Sequence, residues 1–468
     1  MDNLTIDQKK AYECMLKGNN VFISGEAGTG KSYVVSRFIN EMSQKHKNIL
    51  VCAPTGVAAL NVGGVTIHRC FHISSEPQIK TYVTSVSDEV KEADIIIVDE
   101  ISMCRVDLFD CMIRHIAKAE RETFKRKQII VVGDFFQLPP VTTKEDLKIL
   151  KEFYKDYDKG FAFESEYWDD LNFDKIVLKK ILRQSDNEFI FQLNNARIGN
   201  TSCIPYFNIH AKREKIEDGI ILCARNITAQ QINEEELDKI NSESKFYESI
   251  IEGEVKSSDK PTFDILELKV GARVIILVND IENNDYQNGT IGTIAALKAN
   301  GVSVTLDNGK IIKIGMHEWE IESYTIVEES RDEVKFNKLE KTKIGSFKQL
   351  PLKLAYAITI HKSQGQTYDK VNLIPYSFSC GQLYVALSRV KSIEGLCLIE
   401  NIKKEYLKCD EKVKLFYGII DISEKKRRKD ILAQFGKDVL LMDKGIKRQF
   451  PLELKQLMEK VYKEIQNE

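Results

Sequence analysis

Between Val21 and Val35 the chain reads VFISGEAGTGKSYVV, and no other stretch limits its fold as much. "NVFIS" is an apolar run suited to a buried strand. Gly25-x-x-x-x-Gly30-Lys31-Ser32 follows, and Val34, Val35, Phe38, Ile39 and Met42 then recur with helical spacing. Strand, glycine loop and helix in that order form a phosphate loop. Its glycines let backbone N–H groups turn toward phosphate oxygens, and the helix N-terminus adds a favourable dipole. Gly25, Gly28, Thr29 and Gly30 therefore read as the cradle for ATP. Lys31 reads as the cation that reaches its phosphates, and Ser32 as a hydroxyl ligand of Mg²⁺. A plain glycine turn would explain the loop, but not the Lys-Ser pair that closes it.

Two more apolar runs end in polar groups. ADIIIVDEISM (Ala93–Met103) predicts a central parallel strand closed by Asp99 and Glu100. Beside a phosphate loop, Asp99 would hold Mg²⁺ through water and Glu100 would polarise the attacking water, although "DEIS" also suits a helix cap. QIIVVGDFFQLPPV (Gln128–Val141) repeats the pattern. There Gln137 can sense the γ-phosphate, Asp134 can fix the loop, and Pro139 and Pro140 stiffen it. VCAPTGVAAL and GGVTIHRCF supply Thr55, Gly56 and His68 as possible donors to a phosphodiester backbone, and Phe71 as a possible stacking platform. Taken singly, each reads more readily as core or turn. His68, Cys70 and His72 lie close together without a second ligand pair, which weakens a metal reading. Thr5-x-x-Gln8 forms a capping box. The Gln8 amide could equally read an adenine edge.

Composition narrows the class. A chain of 468 residues, 43% hydrophobic and 29% charged, has room for two to four globular domains. It contains no apolar run of about 18 residues, so no membrane span is expected. MDNLTIDQKK has the form of neither a secretory nor a transit signal, and a cytoplasmic protein is expected. The ten cysteines form no C-x-x-C pair. A net charge of −2 confines any nucleic-acid contact to a local groove. The tail from Asn401 to Glu468 holds seventeen Lys/Arg against twelve Asp/Glu, densest at Glu424–Asp430, and reads first as a solvated helix face.

LAYAITIHKSQGQTYDKVNL (Leu354–Leu373) and GQLYVALSRVKSIEGLCLI (Gly381–Ile399) complete a series that begins with GEAGTGKS, IIIVDE and VVGDFFQLPPV. In this order the motifs resemble superfamily 1 DNA helicases of the 5′→3′ branch. More narrowly, the chain is similar to the petite-integration-frequency helicases, with RecD-like helicases as cousins, from Leu4 to about Ile402. The resemblance implies an adenine contact for Gln8. It gives Arg183 and Arg389 the role of cations that reach the γ-phosphate from a second lobe. It places Gly365 in a turn near the nucleotide, and Thr359, His361 and Lys362 against single-stranded DNA. It also implies roles in DNA replication, DNA repair and telomere maintenance.

The expected fold is α/β: two RecA-like P-loop lobes with a short wedge and a small inserted barrel. The first lobe spans 1–170, with the wedge at about 71–91. The second comprises 171–265 and 348–402, and a basic helical extension occupies 403–468. Between 266 and 347, short β runs are broken by Asn-Gly and Asp-Asn-Gly turns. The resemblance makes this segment a Src-homology-3-like barrel, with Asn288 and Gly289 as turn formers. The expected activity is an ATP-dependent DNA helicase, a monomeric motor on single-stranded, forked or tailed DNA. The alternative is an ATP-gated clamp that grips DNA without unwinding it.

Overall fold

The computed structural model describes residues 4–419 except positions 75, 80, 81, 155, 156, 281–284, 287, 332 and 333, together with 458, 459 and 462. Strands β1 (Val21–Gly25), β2 (Ile49–Ala53), β3 (Val65–Thr66), β4 (Ile95–Val98), β5 (Gln128–Val132) and β6 (Asp174–Leu178) form one sheet in the order β3-β2-β4-β5-β1-β6. Every pairing in it is parallel. Alternate residues serve opposite faces, as the pleat requires. Ile95 and Ile97 join Val21, Ile23, Val34 and Phe38 under the helices Ile6–Leu16 and Lys31–Gln44. Ile96 and Val98 join Phe22, Phe135 and Trp168 on the other face.

The second lobe's sheet begins with β7 (Ile220–Cys223), after helices whose Phe189, Leu193 and Phe207 share its core, and the chain then enters an antiparallel region. That region comprises β8 (Lys245–Glu248), β9 (Ile250–Gly253), β10 (Ile265–Leu268), β11 (Arg273–Ile276), β12 (Ile291–Lys298), β13 (Gly301–Leu306), β14 (Ile311–Gly315), β15 (His317–Arg331), β16 (Val334–Gln349) and β17 (Leu352–Leu354). Five of these strands make a sheet in the order β14-β13-β12-β11-β17, and β15-β16-β9 make another. Antiparallel pairing therefore reaches beyond 266–347 at both ends, because β8 pairs with β10 and β17 closes on β11. Gly289 sits at φ +96 in the Asn-Gly turn, as its composition predicts. The chain then returns through β18 (Ala357–Thr359), β19 (Val371–Leu373) and β20 (Leu396–Leu398) to finish a parallel sheet ordered β18-β7-β19-β20. Two parallel lobes are thus present, as expected of a RecA-like pair.

Two segments depart from expectation. Residues 174–178, expected in the second lobe, form β6, which pairs in parallel with β1 at the edge of the first lobe's sheet. The tail does not begin as a solvated helix: Val413 on the helix Glu411–Phe416 is buried in the first lobe's core, and Phe416 and Tyr417 pack against it. Glu424–Asp430 lies outside the described residues.

Candidate nucleotide and motor site

The phosphate loop leaves the end of β1, and its helix starts at Lys31. Gly28 and Gly30 adopt φ of +81 and +80, the left-handed region that glycine tolerates best. Their neighbours also occupy the space a side chain would need. A Cβ on Gly28 would lie 2.5 Å from that of Arg183, and one on Gly30 would lie 2.6 Å from Gln8 Nε2. Thr29 Oγ1 donates to the Glu26 carbonyl at 2.9 Å. Gln8 Nε2 donates to the Thr29 carbonyl at 3.0 Å, while its Oε1 accepts from Thr5 N–H. Gln8 therefore caps its helix and braces the loop at once. Lys31 Nζ donates to the carbonyls of Gly25 (2.8 Å) and Glu26 (3.1 Å). Burial lowers its pKa, against the pull of Asp134, Glu100 and Asp99.

The carboxylates stand across β5 from the loop. Asp99 accepts from Glu100 N–H at 2.8 Å, and Glu100 is held at φ +50. A non-glycine residue in that region stores backbone strain of a kind concentrated at functional sites. Burial and Asp99 push the Glu100 pKa up to about 7, against Lys31 and Arg389. Ser32 lies exposed on the first helical turn. One hydroxyl and one carboxylate, completed by phosphate oxygens and water, suit Mg²⁺. Among the described residues, no group of three or more His, Cys, Asp or Glu could hold a metal, and that includes His68, Cys70 and His72.

The second lobe supplies the cations. Arg183 Nη1 donates to the Ser388 carbonyl at 3.0 Å, and its Cβ borders Gly28. Arg389 is 1% exposed. Its guanidinium donates to the carbonyls of Val385 (2.8 Å) and Gln366 (3.1 Å) and to Ser388 Oγ (2.8 Å). Burial and the proximity of Arg183 lower its pKa to about 9. Gly365, at φ +80, turns the chain between Gln364, which donates to Glu100 Oε2 at 2.9 Å, and Gln366, whose carbonyl meets Arg389.

The loop after β5 packs against the second lobe. Asp134 is fully buried and takes two bonds from Arg197, Nε at 3.0 Å and Nη2 at 2.7 Å. Gln137 follows, 6% exposed, with its N–H on the Asp134 carbonyl. Leu138 is buried in the core of the opposite lobe. Gly381, at φ +70, lies so close that a Cβ there would run into the carbonyls of Phe136 and Gln137. Tyr384 accepts from the phosphate-loop N–H of Ala27 at 3.1 Å.

This geometry agrees with what the chain resembles. The PIF1-like helicase family matches residues 3–200. The ATP-dependent DNA helicase Pif1 of Campylobacter jejuni is 31% identical over 446 residues, covering 86% of this chain and 96% of that one. The chain belongs to the Pif1 helicase family. Human ATP-dependent DNA helicase PIF1 is 30% identical over 439 residues, and this chain spans 64% of its length. The crystal structure of Bacteroides sp Pif1 in complex with ADP-AlF4 superposes with a TM-score of 0.75 at 33% identity, covering 93% of this chain and 97% of that one.

Within this Pif1 fold, the candidate nucleic-acid residues divide. Thr55 and Gly56 lie at the end of β2, where Thr55 Oγ1 accepts from Ala58 N–H and starts a short helix. His68 is half-buried in the helix Ile67–Cys70, and burial lowers its pKa. Phe71 is corrected. It is 1% exposed, edge-on to His115 in the first lobe's core, so its ring has no face free for a base. Thr359 ends β18 at 4% exposure, His361 is half-buried, and Lys362 is exposed. Sequence reasoning missed Lys353 on β17, whose pKa burial and nearby Lys362 lower to about 8. It also missed Arg197, Gln364, Gly381, Tyr384 and Tyr417. Gln364, Gly381 and Tyr384 fall inside the quoted motifs. Arg197 and Tyr417 carried no local signal beyond an arginine in a helix's last turn and an aromatic pair in a charged tail.

Proposed function

We propose that this chain is an ATP-dependent DNA helicase that moves 5′→3′ on single-stranded DNA as a monomer and unwinds tailed or forked duplex. The meeting of Arg183 and Arg389 at Ser388, on the rim of the phosphate loop, carries this reading. Two guanidinium groups 206 positions apart in the chain repel each other there, and a triphosphate between them relieves that repulsion. Such cations typically contribute about 10³–10⁵ to phosphoryl-transfer rates.

Gln8 and Thr29 would brace the loop, and Lys31 would swing its ammonium onto the β- and γ-phosphates. Glu100 would orient and deprotonate the attacking water, with Gln364 holding its second oxygen. Gln137 would sense the γ-phosphate. Mg²⁺, held through Ser32 and Asp99, would neutralise charge on the phosphate oxygens. Because Leu138 and Gly381 tie the sensor loop to the opposite lobe, loss of the γ-phosphate would move one lobe against the other. Thr55, Gly56, His68, Thr359, His361, Lys362 and Lys353 are our candidates for gripping the strand. A Bacteroides relative has been crystallised bound to ssDNA, and another structure concerns forked dsDNA unwound by two coordinating Pif1 helicases.

The test compares ATP turnover with and without single-stranded DNA, and strand separation on 5′- and 3′-tailed duplexes. Stimulation by DNA and unwinding of the 5′-tailed substrate alone are expected. Lys31→Ala should abolish both while retaining DNA affinity. An ATPase indifferent to DNA would sink the proposal.

A further inference from the structure

The second lobe touches the phosphate loop and its sensor loop from outside the first lobe. Among the described residues, Phe416 and Tyr417 reach them from beyond the second lobe. The chain leaves the second lobe's core at Ile402 and Leu407, where Asn208 holds both the N–H and the carbonyl of Ile402. It then passes the Lys408 carbonyl, which accepts from Gly381 N–H at 3.0 Å, and crosses to the first lobe. There the helix Glu411–Phe416, capped by Asp410, buries Val413. Phe416 stacks on Phe163 at 4.4 Å and 16° and lies within 6.0 Å of Phe22, Phe135 and Trp168.

Tyr417 completes this strap. Its hydroxyl is 2.6 Å from Ser24 Oγ and accepts from Phe135 N–H at 3.4 Å. Its ring stacks on Phe136 at 4.9 Å and 25°. The Arg197 guanidinium lies 4.3 Å from the Phe136 ring and 5.6 Å from the Tyr417 ring. Ser24 immediately precedes Gly25, and Phe135 and Phe136 lie between Asp134 and Gln137. One phenol thus touches both the root of the phosphate loop and the backbone that aims the sensor glutamine. It has the required chemistry, since a hydroxyl can donate to one group while accepting from another. Packing alone does not explain it, because Phe416 already fills the aromatic core.

We propose that Tyr417 is a positioning residue for ATP turnover. Its hydroxyl locks the phosphate-loop strand to the sensor loop, so that closing of the lobes places Lys31 and Gln137 together. This rests on the reading of the chain as a DNA-stimulated ATPase. The test is Tyr417→Phe, which removes only the oxygen. The DNA-stimulated kcat should fall roughly 3- to 10-fold, the rate equivalent of one buried hydrogen bond. KM for ATP and affinity for a single-stranded oligonucleotide should stay within about twofold of wild type. Ser24→Ala removes the same bond from the other side and should reproduce the loss, and the double variant should lose no more than either single one. Phe416→Leu disturbs packing alone, and should lower the melting temperature while sparing kcat. A wild-type kcat in Tyr417→Phe overturns the proposal. So does an equal kcat loss in Phe416→Leu, which would make the strap mere packing. Failure of DNA to stimulate the wild type counts instead against the helicase reading, and the basal kcat of the same variants then decides the role of Tyr417.

Discussion

Glu100 shows how a single side chain can be tuned against its own stability. Burial and Asp99 raise its pKa from 4.5 to about 7. A native-state pKa above the unfolded one favours the protonated form, so this group's contribution to stability declines as pH rises from 4.5 through about 7. The base role proposed for it needs the opposite form. Turnover should therefore climb with pH through about 7, on a limb that Glu100→Gln abolishes along with at least about 10²-fold of kcat. The same variant should melt above wild type near pH 8 and lose that advantage toward pH 4. Matching melting curves at about pH 8 would show that the carboxylate carries no such penalty.

At the scale of elements, the contacts that matter are short pieces at strand ends. Gly381 opens the helix Gln382–Leu387 at φ +70, with the carbonyls of Phe136 and Gln137 where its Cβ would stand. Gly381→Ala would face both left-handed strain and a backbone clash, together costing about 1–3 kcal/mol. Its expected signature is a lower melting temperature and impaired DNA-stimulated turnover, with the phosphate loop itself untouched. Turnover at the wild-type level would mean that the lobes meet differently in the working enzyme. Elements were unequally legible beforehand. The Thr5–Gln8 capping box, the strands ending in Asp99 and Asp134, and the Asn288–Gly289 turn follow local rules that hold wherever the chain folds. The helix Glu411–Phe416 spans six residues in a charged tail, too few for any periodicity to show which face is apolar.

Across the whole molecule, the lobes exchange core residues. Leu138 of the first packs into the second, while Val413, with Phe416 beside it, packs into the first from beyond the second. The Asp134–Arg197 pair crosses the same seam, with side chains 0% and 10% exposed. Breaking a buried pair from one side strands a charge and costs about 3–5 kcal/mol, whereas replacing both partners costs much less. Arg197→Met should therefore lower the melting temperature more than Asp134→Asn combined with Arg197→Met. Equal losses would indicate that water reaches the seam. No helix among the described residues is long and apolar enough to cross a membrane.

The sequence by itself determined the chemistry of each half-site. The phosphate loop, the carboxylates after β4 and the arginine after "ALS" depend on spacing within one strand–loop–helix unit, and such spacing survives in a linear text. Tertiary structure alone decided which halves meet. It brought Arg183 to Ser388, turned Phe71 inward and returned Tyr417 to Ser24 across 393 positions. Such pairings are set by how two folded surfaces pack, and no local propensity encodes a contact between residues that share only a final position in space.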